Sequence, residues 1–150
     1  LPAADFEALS EASLLFEELL GADPGRVVEA LGIPDQGGRV AHVHGHCHQK
    51  AMDALSPLER LLGAIPGLEV RTIESSCCGM AGAFGYGAET IDVSMAMGEL
   101  SLLPAIRKAG RDDIVVANGT SCRHQIHDGA SREAVHVARV LDSLMPPAAA

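Results

Sequence analysis

Three short apolar runs, at residues 40–43, 68–73 and 112–117, each give way within a few positions to a cysteine-bearing turn and then to a helical pattern. The first, Val40-Ala41-His42-Val43, follows a glycine pair. The second, Leu68-Glu69-Val70-Arg71-Thr72-Ile73, alternates with the period of a strand. The third, Asp112-Asp113-Ile114-Val115-Val116-Ala117, ends in a continuous apolar run that suits a strand covered on both faces of a parallel sheet. Elsewhere the periodicity is helical. Residues 5–20 set Phe6, Leu9, Ala12, Leu15, Phe16, Leu19 and Leu20 close to one face, and Gly21 stops the run. Residues 26–31 predict a short helical turn between Pro24 and Pro34. Residues 47–62 predict a helix with Ala51, Met52, Leu55, Leu58, Leu61 and Leu62 on its apolar face and an interruption at Pro57. Residues 88–108 predict a long helix with a break at Pro104. Residues 134–137 fit a short fourth strand before a final helix ending at Leu144. Strands alternating with helices predict an α/β fold in three layers. A short, mostly parallel sheet is flanked by helices, with the cysteines at the C-terminal ends of the strands.

By the same pattern, residues 1–38 are a helical lead-in, 39–145 a cysteine-rich α/β domain and 146–150 a disordered tail. The opening has no Met and runs straight into a helical pattern, so the chain is read as a fragment of a longer polypeptide. No apolar run reaches the roughly 20 residues that cross a bilayer, and the first residues lack a signal-type core. With 11 Lys and Arg against 20 Asp and Glu, the net charge of −9 disfavours nucleic acid, whose binding needs clustered cations. A 3% aromatic content without Trp removes base-stacking platforms as well. The expectation is a cytoplasmic domain, or one held peripherally at the inner face of the membrane.

The four cysteines are the chemistry. They occur in His44-Gly45-His46-Cys47-His48, in Ser76-Cys77-Cys78-Gly79 and in Thr120-Ser121-Cys122-Arg123-His124. Adjacent cysteines such as Cys77 and Cys78 make poor disulfide partners, and a chain without a secretory signal suggests thiols in a reducing compartment. In an open parallel sheet the carboxyl ends of the strands share one edge, where ligands bind. The three segments should therefore converge there, some of them at helix N-termini, which lower thiol pKa. Thiolates suit iron–sulfur clusters or zinc, and the ferredoxin-type C-x-x-C-x-x-C run is absent. Three further readings stay open: zinc completed by a local histidine, a thiol–disulfide switch at Cys77-Cys78, and simple burial of the cysteines.

Around them, Gly79, Gly82, Gly85 and Gly87 form a loop able to approach a ligand closely. His46, His48, His124 and the backbone of Gly79 are expected beside the metal ligands, as hydrogen-bond donors more than as ligands. His42 and His44 share one side of their strand, and at least one is expected to be a structural, hydrogen-bonded histidine. Lys50, Arg107 and Arg123 are candidates to screen a cluster, with solvated surface charge as the default. Met80, Met95 and Met97 are expected in the core. No catalytic nucleophile stands out, and the glycine run lacks the Lys-Ser/Thr of a phosphate loop.

At the segments His44-Gly45-His46-Cys47-His48-Gln49-Lys50-Ala51, Ser76-Cys77-Cys78-Gly79-Met80-Ala81-Gly82-Ala83-Phe84-Gly85-Tyr86 and Gly119-Thr120-Ser121-Cys122-Arg123-His124-Gln125-Ile126 the chain resembles the cysteine-rich CCG domain. That domain occurs in heterodisulfide reductase and in the iron–sulfur subunits of glycolate oxidase and anaerobic glycerol-phosphate dehydrogenase. It also occurs in fused FAD-linked oxidases. The pattern is closest to the C-terminal end of the fused type, which resembles D-lactate and D-2-hydroxyglutarate dehydrogenases, and it spans roughly residues 39–144. The resemblance implies Cys47, Cys77, Cys78 and Cys122 as ligands of a 4Fe–4S cluster. The first cysteine of the family's final Cys-x-x-Cys falls on Gly119, which favours a simpler four-thiolate cluster or one completed by a histidine. It further implies an oxidoreductase that takes electrons from a 2-hydroxy acid through FAD on another domain. Upstream FAD and ferredoxin-type domains or subunits would be its partners, and a quinone or other acceptor the electron outlet. The domain itself would turn over no substrate.

Overall fold

A computed structural model describes residues 2–52 and 54–147. Strands β1 (Arg39–His44), β2 (Leu68–Thr72) and β3 (Ile114–Ala117) form a parallel sheet in the order β2-β1-β3. Helices fill every connection: α1 (Ala3–Ala12), α2 (Phe16–Leu20) and α3 (Pro24–Leu31) before β1, α4 (Cys47–Ala51) and α5 (Ser56–Gly63) before β2. α6 (Ile91–Glu99) and α7 (Leu102–Lys108) precede β3, and α8 (Thr120–Ala130) and α9 (Val137–Leu144) follow it. This is the α/β fold expected, with helices on both faces of a parallel sheet.

Side-chain alternation along β3 shows how the layers are built. Ile114 and Val116 join Ala41, Val43 and Leu68 in one core with Leu58, Leu61 and Leu62 of α5 and Val137, Val140, Leu141 and Leu144 of α9. Val115 and Ala117 point the other way, into a second core with Leu102 and Ile106 of α7, Ile126 of α8, and Cys78 and Cys122. Every residue of β3 is buried, as the continuous apolar run required. In β1, Ala41 and Val43 take the first face, so His42 and His44 turn toward the second, where the cysteines are.

The structure breaks three expected helices. The run over residues 5–20 is two helices separated at residues 13–15, and α1 buries none of its side chains. Residues 47–62 divide into α4 and α5, but the break lies before Ser56; Pro57 sits in the first turn of α5, where its missing N–H costs nothing. Residues 88–108 divide at Leu100-Ser101, and Pro104 is likewise in the first turn of α7. In both places proline starts the helix instead of breaking it. The fourth strand is reduced to one parallel bridge, Val135 to Val116, with two backbone bonds of 2.9 Å to Val115 and Ala117. Most of the expected tail lies outside the described residues.

The order β2-β1-β3 has a consequence for the site. From β1 the chain crosses to one side, to β2, and from β3 it continues on the other side, to the Val135 bridge. The crevice between the carboxyl ends of β1 and β3 is thus a topological switch point, the place where open α/β sheets bind ligands.

Candidate metal centre

Each strand end delivers its cysteine by a local device. After β1, His46 is the N-cap of α4 and Cys47 its first residue. His46 Nδ1 accepts the His48 backbone N–H at 3.2 Å, while the His46 N–H donates to Gln49 Oε1 at 2.9 Å. This is a capping box with histidine in place of serine. Gln49 is itself buried and donates through Nε2 to the buried carboxylate of Glu17 in α2. The segment before the sheet therefore clamps the helix that begins with Cys47.

After β2, the loop to Cys77 and Cys78 is held by Lys50, whose Nζ donates to the carbonyls of Ser75 and, at 2.7 Å, Ser76. Lys50 is thus a loop tie and not a free surface charge. Gly79 follows with φ +99°, and a Cβ there would stand 2.0 Å from the Ser94 carbonyl of α6. Only glycine fits. Its N–H donates to Cys77 Sγ at 3.3 Å, the sulfur contact expected of this residue. Ser94 is held in turn by the buried Gln125 of α8, whose Nε2 donates to the Ser94 carbonyl at 2.9 Å and to its Oγ at 3.2 Å.

After β3, Gly119 caps α8 and Cys122 lies in its first turn. Arg123 donates through Nη1 to the carbonyls of Ala117 at 3.0 Å and Asn118 at 2.8 Å, which fixes the strand end. Arg107 is committed elsewhere, to Glu99 on the surface.

None of the four cysteines forms a disulfide, and they neighbour one another in pairs, Cys47 beside Cys77 and Cys78 beside Cys122. Cys78 and Cys122 are buried; Cys47 and Cys77 are partly exposed. A ring nitrogen of His44 and the sulfurs of Cys78 and Cys122 all lie within 4.8 Å of one another. Cys47 and Cys78 line one cavity of about 350 Å³ together with His46, His48, Ala81, Gly82 and Ser121. The electrostatics split the buried pair. The Cys122 thiol beside it pulls Cys78 down to about 4 against the opposing effect of burial, helped by His44 and the Met80 N–H. Cys122 is pushed far up by the Cys78 thiolate and by burial. The two sulfurs thus titrate as a coupled pair, each thiolate opposing ionisation of the other. Burial, then the neighbouring Cys77, raises Cys47. Sulfurs crowded so that their charges oppose one another are a donor set that a cation would relieve.

The histidines divide by role. His42 is structural: its Nε2 meets Asp113 Oδ2 at 2.8 Å. His46 is held below its usual pKa by burial and by His48, whose ring packs edge-on at 5.1 Å. With Nδ1 accepting from the backbone, its neutral ring carries the proton on Nε2, as a donor would. His48 is exposed on the cavity rim. His124 is exposed and bonded through Nδ1 to Tyr86 Oη at 2.6 Å, so it is tied to the glycine-rich loop. Met80 is buried in the second core and accepts from Ser94 Oγ at 3.9 Å.

Sequence reasoning missed Glu17, Gln49, Ser75, Ser94 and Gln125. Only Gln49 carried a local signal, as the third residue after a capping position. His46 and His48 also line a larger cavity of about 560 Å³, with Phe16, Glu17, Asn118 and His136 among its walls.

No family model matches the chain, and no solved structure matches it. Among curated proteins, it is 36% identical over 93 residues to a subunit of the anaerobic glycerol-3-phosphate dehydrogenase of Escherichia coli K12, covering 62% of this chain and 23% of that protein. It is 28% identical over 100 residues to the D-2-hydroxyglutarate dehydrogenase of the same strain, covering 66% of this chain and 10% of that protein. Over 60 residues it is 35% identical to the D-2-hydroxyglutarate dehydrogenase of Pantoea ananatis, covering 40% of this chain and 6% of that protein. The chain thus spans a quarter or less of the length of these relatives. The similarity to dehydrogenases supports an oxidoreductase-associated setting for this α/β domain, which carries a cysteine–histidine cluster at its strand ends.

Proposed function

We propose that this chain is an iron–sulfur electron-transfer domain of the CCG type, with Cys47, Cys77, Cys78 and Cys122 as the cluster ligands. The observation that supports the reading is that cysteines from three strand ends neighbour one another, Cys47 beside Cys77 and Cys78 beside Cys122 and His44, with none in a disulfide. The donor set fits the group: sulfur ligands, a glycine N–H directed at one sulfur, and the buried His44 ring with a nitrogen beside two others. A bound cluster accepts and releases electrons singly. The chain's own residues hold the sulfurs in register, through Gln49 and Glu17 for Cys47, Lys50 for the Cys77-Cys78 loop and Arg123 for Cys122. Leu102, Ile106 and Ile126 pack in one core with Cys78 and Cys122.

In the parent protein the domain would pass on electrons that FAD on another domain or subunit takes from a 2-hydroxy acid, toward a quinone or other acceptor. The relatives named as dehydrogenases of glycerol-3-phosphate and D-2-hydroxyglutarate support that setting. No helix among the described residues is long and apolar enough to cross a membrane. The test is replacement of each cysteine by alanine, followed by anaerobic reconstitution with iron and sulfide. Loss of visible absorption in all four variants is expected; retention in the Cys78→Ala and Cys122→Ala variants would sink the assignment.

One observation favours a second reading. Three donors within 4.8 Å of one another are close enough to share a single ion, as in a zinc site. About one zinc per chain in anaerobically purified protein, no visible band and unfolding by chelator would support that reading in place of the cluster.

A further inference from the structure

His44 is completely buried at the end of β1 and, with Asn118, is one of two side chains among the described residues that carry a buried unpaired polar atom. Its Nδ1 lies 2.9 Å from Ser75 Oγ. Among the described residues its buried Nε2 forms no hydrogen bond of ordinary geometry, although His44 stands close enough to Cys78 to favour that thiolate. A purely structural histidine is not expected to leave a buried ring nitrogen without a well-formed partner. The ring sits at the switch point between β1 and β3, on the face that holds Cys78 and Cys122, with a nitrogen within 4.8 Å of both sulfurs.

The arrangement has the form of a ligating histidine. Such residues engage their second ring nitrogen in a hydrogen bond that fixes the tautomer and aims the first. Ser75 Oγ can accept from Nδ1–H, which leaves the Nε2 lone pair free. Ser75 is itself anchored, since Lys50 holds its carbonyl. His46 has the opposite arrangement, with Nδ1 engaged as an acceptor and the proton left on Nε2. His48 and His124 are exposed. Position 119, at the cap of the helix that carries Cys122, offers no side chain.

We propose that His44 is a metal ligand, binding through Nε2 alongside Cys78 and Cys122. This rests on the reading of the site as a metal centre. It adds that the centre has mixed nitrogen and sulfur ligation, and so takes a transition metal that accepts both, such as iron or zinc.

The experiment uses the 150-residue chain, reduced and anaerobic, with its histidines labelled with nitrogen-15. Zn²⁺ alone is the probe. Long-range proton–nitrogen spectra should show one histidine whose Nε2 resonance shifts on metal addition while its Nδ1 stays protonated. X-ray absorption should show a nitrogen shell at about 2.0–2.1 Å besides sulfur at about 2.3 Å. His44→Ala should remove the nitrogen shell and weaken Zn²⁺ binding by roughly tenfold or more, whereas His46→Ala and His48→Ala should keep the shell. The wild-type spectra decide the matter even where His44→Ala fails to fold. A sulfur-only shell, or a nitrogen shell that survives in His44→Ala, overturns the ligand assignment and leaves the cysteine site standing. A chain that binds neither Zn²⁺ nor, in a parallel sample, iron and sulfide overturns the metal-centre reading itself.

Discussion

The His46 ring lies where a side chain at position 119 would begin: a Cβ built on Gly119 would stand 2.4 Å from His46 Cδ2 and 3.0 Å from Cys122 Sγ. His46 cannot simply swing aside, because it caps α4 and its Nδ1 holds the His48 N–H. Gly119→Cys is therefore expected to strain the rim instead of supplying a further thiolate, at a cost of about 1–3 kcal/mol from overpacking. His46→Ala should relieve that strain. Urea unfolding of the two single variants and the double variant checks this. The expected coupling is about 1 kcal/mol or more, in the direction of rescue.

Gly79 meets a similar limit from the backbone. Its φ of +99° and the Ser94 carbonyl 2.0 Å from a would-be Cβ leave no room for alanine. Gly79→Ala should cost on the order of 3 kcal/mol, from the strained conformation together with displacement of α6. Gly82→Ala, with φ +72° but nothing within 4 Å, should cost less. Thermal denaturation of the two variants side by side tests the ordering.

Gln49 links three parts of the chain: the His46 N–H, the helix of Cys47 and the buried Glu17 carboxylate. Gln49→Ala leaves that carboxylate without its amide donor and should destabilise by about 1–3 kcal/mol. Glu17→Ala with Gln49→Ala should recover part of the loss. Amide exchange in residues 47–51 should accelerate in Gln49→Ala, since the clamp on α4 is gone.

Asp113 sets an acid-side limit. The hydrogen bond from His42 Nε2, aided by the Gly110 N–H, holds its carboxyl below the usual carboxylate pKa. A folded-state pKa below the unfolded value gives stability that is present above the ordinary carboxylate range and lost as pH falls through the depressed value. Asp113→Asn should flatten the acid limb of the stability curve below about pH 4. Urea midpoints measured between about pH 3 and 7 check it.

The sheet was legible because strand periodicity and the cysteine-bearing turns coincide in the sequence: β1, β2 and β3 fall within one or two residues of the apolar runs. Convergence of the cysteines followed from parallel pairing alone. The helix breaks were not legible. Pro57 and Pro104 signal a helix start as readily as a break, and the neighbours that decide between them are tertiary. The apolar face read over residues 5–20 was misleading for the same reason, since Phe6 and Leu9 remain exposed. At the site, His42 and His44 could not be told apart from the sequence, because a strand histidine gives no sign of what its second nitrogen meets. That depends on Ser75, 31 residues away, and on a loop whose course is set by Gly79 and Ser94.

The most direct test of the central claim is the iron and acid-labile sulfide content of the folded 150-residue chain after anaerobic reconstitution. The account expects iron and sulfide in near-equal amounts, with broad visible absorption, and loss of both when Cys78 or Cys122 is replaced by alanine. A folded chain that stays colourless and free of iron and sulfide would contradict it.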